Sequence, residues 1–150
     1  MSASVDRVFE IVIDAEADRV WRALTSPDYT SEWWFANTVE SSWQVGSPVT
    51  YVGEDGVPDI VGEVLAFDPP RHLETTFRPV WSQAAGGHPE TRIDWRLQPV
   101  DGIADGEQTR VVLTHFDVPE GSALDHETTP GWSYLLESLK TLVEAENPSR

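Results

Sequence analysis

The sequence contains no cysteine. That excludes a disulfide framework, a thiol nucleophile and a thiolate metal site, and it fits a cytoplasmic protein. Positive charge is scarce. Ten Lys+Arg stand against 26 Asp+Glu, giving a formal net charge of −16, and Lys140 is the only lysine. Nucleic acid and anionic membrane surfaces reward basic patches, so Coulomb repulsion argues against both as partners. No stretch approaches the ~18 apolar residues that suggest a membrane span. The N-terminal MSASVDRVFE has no basic region followed by an apolar run, so no secretory signal is expected. The histidines His72, His88, His115 and His126 show neither i, i+4 pairing nor HExxH, so no metal site is expected. GxSxG, a serine–histidine–acid signature and the phosphate-binding glycine loops are also missing. No catalytic residue and no cofactor are therefore assigned.

What remains is a chain of 150 residues, 39% apolar and 24% charged, the composition of one globular domain over 1–150 with its core at about 8–144. Val8–Ile13 is β-branched and aromatic, a first strand. Ala17, Val20, Trp21 and Leu24 recur at i, i+3, i+4, i+7, which predicts a short helix with Asp14 as its N-cap. Ser26-Pro27 predicts a second short helix carrying Trp33, Trp34 and Phe35.

From Thr38 to Phe116 the pattern changes to six short β-like runs separated by turn residues, including loops at Gln83–His88 and from Pro99 to Gly106. Trp132, Leu135, Leu136, Leu139, Leu142 and Val143 form the apolar stripe of a C-terminal helix that Asn147-Pro148 stops. Pro130 either starts this helix or kinks a longer one beginning near Ser122. The fold class is α+β. About six or seven antiparallel strands curve around the long helix, with two short helices after the first strand. A sheet and a helix that diverge leave a cavity between them, the usual place for a small molecule.

Four segments in order carry a family likeness. Val20-Trp21-Arg22-Ala23-Leu24-Thr25 is followed by Trp33-Trp34. Gly62 to Leu73 holds a glycine, double-proline and leucine pattern. Thr109 to His115 ends a strand in Thr-His, and Gly131-Trp132 precedes Leu135 and Leu139. The chain resembles the SRPBCC (START/Bet v-like) superfamily, and within it the group of homologues of the activator of heat-shock protein 90 ATPase. The resemblance spans Val8 to Glu144 and implies a helix-grip fold with a ligand cavity. It also implies two further classes of function, a polyketide cyclase or aromatase, and a co-chaperone that binds a chaperone. Two departures stand near the expected cavity mouth: Phe116 to Gly121 in place of a glycine and an aromatic, and Pro130 before Gly131-Trp132.

Strand alternation sorts the cavity candidates. Ile93, Trp95 and Leu97 share one face, opposite Arg92, Asp94 and Arg96. Val111, Leu113 and His115 share another, as do Leu73, Thr75 and Phe77. The acids fall mainly on the outward faces and in turns. His115 is open to three roles: a buried histidine bonded to a neighbouring Thr, a ligand contact, or a general base. The candidate lining from the sheet is Phe77, Ile93, Trp95, Leu113 and His115. From the helices it is Trp33, Trp34, Trp132, Tyr134 and Leu136. Trp81 is either a lid residue or an exposed hydrophobe. The leading reading is a binding domain, not an enzyme, whose partner is a hydrophobic or aromatic small molecule held between sheet and C-terminal helix.

Overall fold

The structure is a computed structural model that describes residues 4–81, 90–100 and 108–146. The loops expected at Gln83–His88 and before Gly106, and the stop at Asn147-Pro148, lie outside those residues. Strand β1 (Ser4–Ile13) is followed by helices α1 (Ala17–Thr25) and α2 (Pro27–Trp33). Six strands come next: β2 (Thr38–Ser41), β3 (Pro48–Val52), β4 (Pro58–Asp68), β5 (His72–Pro79), β6 (Thr91–Pro99) and β7 (Thr109–Pro119). Helix α3 (Ala123–Ala145) closes the order. The strands form one seven-stranded sheet in the order β1-β7-β6-β5-β4-β3-β2, with every neighbour pair antiparallel. This is the α+β helix-grip architecture that the sequence pattern predicts.

Alternation along β5, β6 and β7 builds the buried face. Leu73, Phe77, Ile93, Trp95, Leu97, Val111 and Leu113 are all at most 1% exposed. In β7 the inward set runs through His115 and then skips to Val118. The extra residue forms a bulge at Phe116–Asp117, where the pairing with β1 shifts between Val5 and Arg7. Asp117 adopts a left-handed φ of 62°, and its N–H donates to Asp6 Oδ1 at 3.1 Å. A second irregularity lies between β4 and β5, whose register shifts between Val64 and Ala66, and the same strand pair approaches closely at Gly62. A Cβ on Gly62 would stand 2.1 Å from the Thr76 carbonyl oxygen. Only a glycine lets the two backbones approach this closely.

The first two helices depart from the predicted bounds in two places. Asp14 is not the N-cap of α1; Glu16 is, without a side-chain cap bond, while the Asp14 N–H donates to Glu144 on α3. Helix α2 ends at Trp33, so Trp34 is its C-cap and Phe35 lies beyond it. Phe35 and Ala36 both take left-handed φ values, 45° and 59°, which turn the chain out of the helix. Helix α3 takes the longer of the two expected forms: Ser122 is its N-cap, with Oγ accepting from the Asp125 N–H, and the helix runs through Pro130. Pro130 thus lies inside a 23-residue helix, and no helix among the described residues is long and apolar enough to cross a membrane.

Two polar locks fasten α3 to β1. Lys140 Nζ donates to the Val12 carbonyl at 2.8 Å and to Glu144 at 2.6 Å. Arg7 grips Asp125 with Nη2 at 2.8 Å and Nε at 3.2 Å. Between the locks, Trp132, Leu135, Leu136, Leu139 and Val143 sink into the core. Burial of such large side chains is the main stabilising term.

Candidate functional site

A groove of about 390 Å³ lies between the middle of α3 and the sheet. Its walls come from four places. The turn after α2 supplies Trp34, Phe35 and Asn37. Ile60 and Asp59 come from β4, and Phe77 from β5. Trp81 follows β5. Helix α3 presents Glu127, Thr128, Gly131, Trp132 and Leu135 on successive turns of one face. The volume lies within the range of small-molecule sites, and the lining is mostly aromatic and aliphatic.

The walls are held by interlocked rings. Trp34 stacks on Tyr51 with centroids 4.2 Å apart and meets Trp132 edge-on at 6.0 Å. Trp132 in turn lies 5.4 Å from Phe77. At the lip, Phe35 stacks flat on Tyr134 at 5.2 Å and 6°. Phe35 and Tyr134 remain 57% and 61% exposed. Opposite them, Trp81 Nε1 donates to Glu127 Oε1 at 2.9 Å.

Behind this wall sits His115, fully buried. Trp132 Nε1 donates to its Nδ1 at 3.2 Å. An indole N–H can only donate, so Nδ1 carries a lone pair and the ring proton is on Nε2. Nε2 lies 2.8 Å from Thr91 Oγ1, which itself donates to the Phe77 carbonyl. Burial pushes the imidazole down to about 4, against a smaller raising influence from Asp125. His115 is therefore neutral at pH 7 with both nitrogens engaged. Nothing in this arrangement leaves it a lone pair for a substrate proton.

Asp125 anchors the start of α3 beside this chain of bonds. It accepts from Arg7, from the Gly121 N–H at 3.0 Å and from Thr129 Oγ1 at 2.5 Å. The Arg7 guanidinium, with help from these donors, holds the Asp125 carboxyl well below the usual carboxylate range.

The structure divides the sequence candidates into groups. Trp34, Phe77 and Trp132 meet at the groove. Trp33, Ile93, Trp95, Leu113 and Leu136 are buried in the core and are not among the groove's lining. Trp33 Nε1 is spent on the Ala23 carbonyl at 2.8 Å, and Trp95 lies edge-on to Trp33 at 6.1 Å. His115 stands behind Trp132 and Phe77, and Tyr134 stands outside on the lip. Among the lining residues missing from the sequence candidates were Phe35, Asn37, Asp59 and Glu127. Asn37 is 3% exposed; its Nδ2 donates to the Phe35 carbonyl, and its Oδ1 has no partner.

The sheet also assembles a grouping that histidine spacing does not reveal. His72, Glu74 and Asp94 bring their ligand atoms within 4.8 Å of one another across β5 and β6. The Asp94 oxygens already take His72 Nε2 at 2.5 Å and Arg96 Nε at 3.0 Å, and Glu74 takes Arg92. A divalent cation would have to displace two guanidinium groups, so the donor set suits an ion-pair network better than a metal.

A seven-stranded antiparallel sheet around a long C-terminal helix, with an aromatic groove between them, defines a domain of the SRPBCC type. The chain belongs to the family described as Activator of Hsp90 ATPase homolog 1-like protein, whose sequence model matches residues 14–144. Among the curated proteins none matches the sequence significantly. The fold is similar to that of the Aha1 dimer from Colwellia psychrerythraea, at 24% identity and a TM-score of 0.73 over 95% of this chain and 98% of that one. It is also similar to PFC0360w, an HSP90 activator from Plasmodium falciparum, at 12% identity and TM-score 0.73 over 92% and 95% of the two chains. DynU16, from the dynemicin biosynthetic locus, matches at 21% identity and TM-score 0.73 over 97% of this chain and 49% of that one. At these identities the likeness concerns the fold.

Proposed function

We propose that the protein binds a hydrophobic or aromatic small molecule in the groove between sheet and α3. The observation that carries this reading is an aromatic-walled space of about 390 Å³ on Trp34, Phe77 and Trp132. Removing apolar ligand surface from water supplies the driving force. The rigid, ring-locked walls limit the ordering cost of binding. His115 acts as a positioning residue for Trp132. Native mass spectrometry and thermal shift against a panel of aromatics, polyketides and lipids test the reading. Binding should be weakened at least tenfold by Trp132→Leu in a folded variant. A folded protein that captures no member of the panel overturns it.

Membership of the family favours a second reading, a chaperone partner. The stacked and exposed pair Phe35–Tyr134 offers that partner an aromatic surface. It predicts a complex with an Hsp90-type chaperone and faster ATP hydrolysis by it. Both should be lost in Phe35→Ser/Tyr134→Ser.

A further inference from the structure

We propose that the groove selects organic cations: apolar or aromatic molecules that carry a protonated amine or quaternary ammonium group. The inference rests on the reading of the groove as a small-molecule site and adds the charge of its ligand.

Aromatic faces attract cations, because their π-systems are negative above and below the ring. The groove presents such rings from Trp34, Phe77, Trp81 and Trp132. The same lining includes two carboxylates, Asp59 and Glu127. Among the described residues, no lysine, arginine or histidine lines it. Two indole donors at the site are already committed, Trp81 to Glu127 and Trp132 to His115.

Asn37 gives an independent sign. It is 97% buried by its 3% exposure, and its Oδ1 lacks any hydrogen-bond partner. Because Nδ2 is fixed on the Phe35 carbonyl, the amide cannot turn its donor inward without losing that bond. An orphaned buried acceptor costs free energy until a donor reaches it. A small adjustment of the Phe35–Asn37 turn, which already holds two left-handed residues, would bring an ammonium N–H against Oδ1. Carboxylate ligands meet the opposite conditions: two like charges, and no donor to offer Asn37 Oδ1.

The test uses three probes with one ring system: 2-naphthylmethylamine, 2-naphthylmethanol and 2-naphthylacetate. Isothermal titration at pH 7 should show the amine binding at least tenfold tighter than the alcohol, with the acetate weakest. Asp59→Asn/Glu127→Gln should erase the preference, bringing the amine to the level of the alcohol. Glu40→Gln/Glu63→Gln removes two exposed charges that do not line the groove and should leave the preference intact. Equal binding of amine and alcohol, or a preference that survives the groove variant, overturns the charge selection alone. No binding by any of the three overturns both this inference and the small-molecule reading on which it rests.

Discussion

Trp132 hangs from His115: the indole N–H on α3 donates to the imidazole Nδ1 on β7 at 3.2 Å, and the two rings meet at 82°. The bond fixes one wall of the groove and, at the same time, the tautomer of the histidine. It joins the long helix to the sheet at a point where Trp34 and Phe77 also pack against the indole.

Replacing His115 should therefore separate hydrogen bonding from volume. His115→Phe leaves the buried Trp132 N–H without an acceptor and should cost about 1–3 kcal/mol. His115→Asn keeps an oxygen near the place of Nδ1 and should cost less than His115→Phe. Urea denaturation of both variants checks the order. A smaller loss for His115→Phe than for His115→Asn would mean that the ring's volume, not its acceptor, matters.

The same histidine sets a pH dependence. Its folded value of about 4 lies below the ordinary 6.5, so between those values the unfolded chain binds a proton that the folded chain refuses. Its contribution is complete above pH 6.5 and falls as the pH drops towards 4. The span corresponds to roughly 3 kcal/mol. Relief of repulsion among the surface acids acts in the opposite direction, so the comparison is with His115→Asn, whose stability curve should be flatter across this window. Below the usual carboxylate range a second loss sets in, as Asp125 is protonated and releases Arg7.

Asp125 binds three donors at the start of α3. Asp125→Ala should cost about 1–2 kcal/mol, the scale of a lost helix-start hydrogen bond. Hydrogen exchange should quicken first over residues 121–129, with the sheet amides little changed. A uniform loss over the whole chain would contradict a local clamp.

Two glycines should respond oppositely to alanine. At Gly62 the added Cβ meets a backbone oxygen at 2.1 Å, so β4 and β5 must separate; a loss of about 2 kcal/mol or more is expected. At Gly131, inside α3, the nearest atoms are 3.9 Å away on the Phe35 ring. Gly131→Ala should add about 0.5–1 kcal/mol of helix stability. It should also narrow the groove and weaken any ligand it holds. Thermal melts and the naphthyl probes measure both effects.

The sheet faces were legible because period-2 alternation survives through β5, β6 and most of β7. What alternation does not give is depth. Phe77 and Trp95 share the buried face, yet the first reaches the groove and the second is sealed beneath Trp33 and Trp34. Asp94 reads as outward, and it is on the polar face, but His72 and Arg96 close over it and leave it 4% exposed. That cover depends on cross-strand register. The end of α2 had no glycine to announce it, because Phe35 and Ala36 take left-handed backbone without one. Tyr134 lies two residues beyond Trp132, about 200° around the helix, which places it on the other side of the groove's edge. Asn37 had no signal at all, since its importance lies in one atom lacking a partner.

Lys140 carries a chemical consequence. It is the only lysine of the chain; its amine crosses the α3–β1 seam to the Val12 carbonyl and pairs with Glu144 on its own helix. Lysine acylation in this protein therefore has a single address. The rate at which Lys140 yields to an amine-reactive reagent reports how often its amine lets go of the Val12 carbonyl.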